Sequence, residues 1–141
     1  MNASAAVAVA VTFTWLGMIL AISFLETPLK FRAPGVTVPI GLGIGRLVFR
    51  ALNSAEAVLA VTVTVAAVLS SAPVSVLAFT AAADALLAAQ TGVIRPRLSR
   101  RTSQVLAGAD QSRSSAHWHY VAAEVAKVVT LIGLGASILA W

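Results

Sequence analysis

The stretch HWHYVAAEVAK places His117, Tyr120, Glu124 and Lys127 at spacings of 3, 4 and 3. On a helix these four side chains share one face. An imidazole, a phenol, a carboxylate and an ammonium in one stripe can relay protons, hold a cation or lock helices in register. Continuing the stripe reaches Leu131 and Leu134, so the polar face covers only half of its helix. Asp84, Ala88, Thr91 and Arg95 repeat the pattern at spacings of 4, 3 and 4. Arg50, Asn53 and Glu56 form a third short stripe, and Glu26 stands at the end of the first apolar run. The three stripes predict a candidate polar cluster of Glu56, Asp84, His117, Tyr120, Glu124 and Lys127. In it Lys127 pairs with Asp84 or Glu124, and Arg46 or Arg50 pairs with Glu56. Three acids against one lysine leave excess negative charge, so a titrating proton or cation site competes with a structural network as the reading.

Other chemistry finds less support. His117 and His119 are two residues apart and project about 200° apart on a helix, so they cannot share one ion. Bis-histidine haem needs a second histidine on another helix, and the chain has two in all. Met1 and Met18 form no copper-type cluster. A metal on His117, Glu124 and Asp84 is conceivable, but an interfacial histidine is the reading taken. Cysteine is absent, which excludes disulfides, zinc thiolates and iron–sulfur clusters. The serines lie in loops, so no nucleophile setting is visible. No enzyme, cofactor or metal is expected.

The elements that hold these residues follow from composition. Of 141 residues 59% are hydrophobic and 11% charged, against about 25% charged in soluble domains. The bilayer is the solvent this composition suits. Residues 5–25 carry no charge and span about 30 Å as a helix. No basic residue precedes them, so they read as a retained span rather than a signal peptide. Further helices are expected at about 51–69, 73–94 and 116–139. Pro28, Pro34 and Gly35 should break the chain after the first, and Pro96 should end the third. Gly41, Gly43 and Gly45 suggest a weak helix start, with Arg46, Arg50 and Asn53 lying at the membrane interface before helix 2. Ser71 can cap the third helix. RPRLSRRTSQVLAGADQSRSS reads as a basic, mobile loop. The fold class is all-α: an integral membrane four-helix bundle, one domain over residues 1–141, with a cytoplasmic interfacial segment before helix 2.

Charge sets the orientation. Lys30, Arg32, Arg46 and Arg50 fall in loop 1, and Arg95, Arg97, Arg100, Arg101 and Arg113 in loop 3. The termini and the SSAP turn have no Lys or Arg. By the positive-inside rule the basic loops are cytoplasmic and both ends external, in a plasma membrane. The net charge of +5 then answers anionic headgroups, with Arg46, Arg50, Arg95, Arg97, Arg100 and Arg101 as lipid-facing residues, rather than nucleic acid.

Trp15-Leu16-Gly17 followed by Pro28-Leu29-Lys30-Phe31 is similar to a W-x-G…P-x-x-F pattern. The chain thereby resembles a family of small four-helix membrane proteins of unknown function, related to transmembrane protein 205 and more distantly to the copper-resistance D membrane family. RPRLSRR and the histidine of HWHY are also similar. In that family the histidine is followed by an asparagine on the same helix, where this chain has Glu124 and Lys127. The resemblance implies fold and membrane location, and no chemistry. The expected role is a non-enzymatic accessory or structural membrane subunit, with a membrane-protein partner or further copies of itself. A small proton- or cation-coupled transporter using the acidic cluster is the alternative, and a haem- or quinone-binding redox protein a third.

Overall fold

The computed structural model describes residues 1–108 and 115–141, with only the backbone described at 115 and 116. Arg113, assigned above to the third loop, lies outside the described residues. The described chain is all-helical. Four helices, α1 (Ala3–Lys30), α2 (Val38–Leu69), α3 (Val74–Leu106) and α4 (Ser115–Leu139), are each long and apolar enough to cross a membrane. The Asn2 side chain caps α1 by accepting from Ala5 N at 2.8 Å. Thr37 caps α2, and Pro39 occupies its first turn, where no N–H is needed.

Between α2 and α3 the chain reverses through a Schellman turn. Ala72 N donates to Ala67 O and Ser71 N to Val68 O, with Ser71 at φ 53° in the left-handed position usually given to glycine. Ser71 thus terminates α2 rather than capping α3. Pro73 takes the N-cap position without a side-chain hydrogen bond.

Three helices run past the limits expected from sequence. Pro28 and Pro96 do not break the chain, and the reason is the same at both sites. Residues Leu20–Glu26 and Gln90–Ile94 are π-helical, and each stretch ends two residues before a proline. In a regular α-helix the proline ring collides with the carbonyl four residues back. The wider π turn carries that collision away, so the helix continues. The segment before helix 2 is likewise part of one unbroken helix. The Arg46 guanidinium donates to Ser103 Oγ at 2.9 Å, and Arg95 donates to the Arg46 carbonyl at 2.6 Å. Thr102 and Val105 are buried, so the basic run 95–106 is a packed helix instead of a loop.

Each helix packs on two others: α1 on α2 and α4, and α3 on α2 and α4. The bundle is therefore a closed ring of four. Its core holds Trp15, Ile19, Val63, Val76, Leu87, Leu131 and Leu134, with alanines 8, 60, 66, 67 and 83 bringing the backbones close. Valines 58, 61, 65 and 68 on α2 and Val125, Val129 and Ile132 on α4 face outward, as the lipid side of a membrane bundle does. Gly41 and Gly45 are buried rather than loose. A Cβ at Gly41 would strike the Phe31 ring, and one at Gly45 would meet Lys30 Nζ. The chain just after α1 is seated on the first turns of α2 by these absent side chains.

Candidate functional site

Lys127 lies on the inner face of α4 and is fully buried. An ammonium has three N–H donors and no acceptor. All three are used: Lys127 Nζ lies 2.6 Å from Glu56 Oε1 and 2.8 Å from Glu124 Oε1, and it donates to Gln90 Oε1. The carboxylates are satisfied in turn. Glu56 Oε1 also accepts from the Trp15 indole at 2.9 Å. With the Asn53 amide turned so that its nitrogen faces Glu56, the orientation its neighbours require, Oε2 accepts from it at 3.0 Å and the Asn53 oxygen accepts from Arg95 at 3.3 Å. Glu124 Oε1 accepts from Gln90 Nε2 at 2.7 Å, and its Oε2 accepts from the Ser23 hydroxyl.

Every helix contributes. Trp15 and Ser23 come from α1, Asn53 and Glu56 from α2, Gln90 from α3, and Glu124 and Lys127 from α4. Ser23 sits within the first π stretch and Gln90 opens the second. The widened turns that accommodate the two prolines are thus also where α1 and α3 present a polar side chain to Glu124. A buried ion pair is worth little unless its remaining hydrogen bonds are made. Here they are made, by neutral donors that carry no further charge into the core.

Of the six residues in the sequence-derived cluster, Glu56, Glu124 and Lys127 meet at this centre. Tyr120 is buried one turn away, with its ring edge-on to Phe49 at 5.3 Å. Its hydroxyl lies near the Arg95 guanidinium without an aligned hydrogen bond. His117 is half-buried two turns from Glu124, its ring edge-on to Trp118 at 5.5 Å. Asp84 is not part of the centre. Its Oδ2 accepts from Thr64 Oγ1 at 2.8 Å, and it lines a groove between α2 and α3. The expected Asp84–Lys127 pair is therefore corrected to Lys127 shared by Glu56 and Glu124. Arg46 and Arg50 do not pair with Glu56: Arg46 goes to Ser103 and Arg50 is exposed. Among the described residues no three His, Cys, Asp or Glu side chains could hold a metal together. The grouping of His117, Glu124 and Asp84 is not formed.

On α3 the structure turns a different face inward from the one that carries Asp84. Asp84, Ala88 and Thr91 share a stripe, but the buried stripe is Val76, Thr80, Ala83, Leu87 and Gln90. Gln90 continues that spacing and is the one strong hydrogen-bonding side chain on it besides Thr80, so the signal was present. Trp15 and Ser23 carried no comparable signal, because α1 is apolar on all sides. Arg97 and Arg100 are exposed and Arg101 half-exposed, at the same end of the bundle as Arg32, Arg46 and Arg50.

Comparison with protein-family models, with curated proteins and with solved structures returns no match.

Proposed function

We propose that the chain is a non-enzymatic accessory or structural subunit of a membrane, spanning it four times. One observation carries this reading: the charges of the Glu56–Glu124–Lys127 centre are saturated. All three protons of Lys127 and all four carboxylate oxygens of Glu56 and Glu124 have partners within the bundle. A network so satisfied fixes helix register and offers no free group to a substrate. The basic residues at one end suit the cytoplasmic face of a plasma membrane with anionic headgroups, leaving the SSAP turn outside. Cysteines introduced at Ser71 and Ala107 should label from opposite sides of intact membranes, Ser71 from outside. Labelling of both from one side would refute this orientation.

The likeness to the small four-helix family is part of the proposal. Three of its four pattern residues have definable tasks in this fold: Trp15 donates to Glu56, Pro28 follows a π stretch, and Phe31 rests on Gly41, whereas a Cβ at Gly17 would meet nothing.

A second reading, a proton- or cation-coupled carrier, has one observation in its favour. Two carboxylates against one ammonium leave a surplus negative charge in the core when all three are ionised, and Arg95 reaches it only through Asn53. Purified protein in liposomes decides between the two. The accessory reading expects no protein-dependent proton or cation flux, and a flux abolished by Glu124→Gln would replace it with the carrier.

A further inference from the structure

Asp84 is an acid in the apolar part of α3 that the core network leaves out. It stands ten residues from Val74 and eleven from Arg95, about 15 Å from either end of the apolar part of α3. That is the middle of a membrane span. Thr64 satisfies Oδ2, while Oδ1 is shielded from water and has no hydrogen-bond partner among the described residues. A carboxyl group there, ionised or protonated, has more hydrogen-bonding capacity than one threonine can meet. Acyl chains supply no donor, and an unmet polar group in hydrocarbon is costly.

The surroundings show what kind of donor can reach it. Asp84 lines an open groove of about 400 Å³ between α2 and α3. The outward walls are Ala57, Val61, Ala88 and Thr91, side chains small enough for another helix backbone to approach closely. A cation at mid-depth would complement both the charge and the unmet acceptor of the carboxylate. A second copy of this chain cannot supply it. Its intramembrane cation is Lys127, whose three donors are all engaged. Its other described Lys and Arg residues lie at the basic end of the bundle. Facing copies would instead bring acid to acid.

We propose that the α2–α3 groove docks a transmembrane helix of a different protein carrying a Lys or Arg near the middle of its apolar run, which pairs with the partly exposed Asp84 carboxylate as its side chain turns into the groove. This rests on the accessory-subunit reading and gives it a partner chemistry.

The test uses the full-length protein in lipid vesicles with host transmembrane peptides of about 20 Leu and Ala residues. These carry a central Lys, Leu or Glu, and association is read by energy transfer. The Lys peptide should bind roughly tenfold more tightly than the Leu peptide, and the Glu peptide no better than Leu. Asp84→Asn should abolish the Lys preference while leaving the thermal unfolding midpoint unchanged. Equal binding of Lys and Leu peptides overturns the proposal, as does a Lys preference that survives in Asp84→Asn. Asp84-dependent pairing of the chain with itself overturns it in favour of a homodimer. Asp84-dependent binding of tetraphenylphosphonium without a Lys-peptide preference overturns it in favour of a small-cation site. Failure with no liposome flux removes only the Asp84 assignment, whereas flux through the protein alone removes the accessory reading itself.

Discussion

Glu124 and Asp84 are both acids within apolar helices, and the bundle treats them in opposite ways. Glu124 points inward and receives an ammonium, an amide and a hydroxyl from three helices. Asp84 points into a groove at the bundle surface and receives one hydroxyl. The difference lies in the helix face each occupies, since both are flanked by alanine and apolar residues in sequence. An inward acid can be satisfied within the chain and then serves register. An outward acid is not, and Asp84 Oδ1 has no hydrogen-bond partner among the described residues.

Removing charge from the centre should hurt most. Lys127→Leu leaves Glu56 and Glu124 buried without a counter-charge and should cost about 3–5 kcal/mol in detergent unfolding. Replacing Glu56, Glu124 and Lys127 together by Leu or Met should recover most of that loss, because the desolvation cost disappears with the charges. A triple variant as unstable as Lys127→Leu would show that the polar contacts do more than cancel their own burial.

Gln90→Leu deprives both Lys127 and Glu124 of one hydrogen bond, and a loss of about 2 kcal/mol is expected in the same unfolding assay. No loss would mean that α3 is not tied to the centre. Trp15→Phe keeps most of the ring in the core but removes the donor to Glu56, for about 1–2 kcal/mol. Asp84→Leu should change the stability of the isolated bundle least, by under about 1 kcal/mol. The Thr64 hydrogen bond is lost, but so is an unsatisfied oxygen. A loss as large as that of Lys127→Leu would erase the distinction between the two regions.

The contrast also explains what could be read from the sequence. Composition and uninterrupted apolar runs are enough for the fold class and for four helices long and apolar enough to cross a membrane, because such a helix is set by length and hydropathy. Charge spacing on α4 offers Glu124 as one of two partners for Lys127, and that pair forms, since residues three apart on one helix are neighbours whatever surrounds them. Which face of α3 turns inward was not legible. Its Ala-rich surface has little hydrophobic asymmetry, and Asp84 drew the assignment to the wrong stripe. The helix ends near Pro28 and Pro96 were misplaced for a different reason. Proline argues for a break unless the preceding turn widens, and that widening depends on tertiary packing around Ser23 and Gln90.

Lys127 belongs to Glu56 and Glu124 and not to Asp84. Double-mutant cycles in the same detergent test it most directly, pairing Lys127→Leu with Glu56→Leu and, separately, with Asp84→Leu. The geometry predicts a coupling energy of about 1.5–3 kcal/mol for Glu56 with Lys127, and additivity within about 0.5 kcal/mol for Asp84 with Lys127. Strong coupling of Asp84 to Lys127, with none for Glu56, would contradict the account.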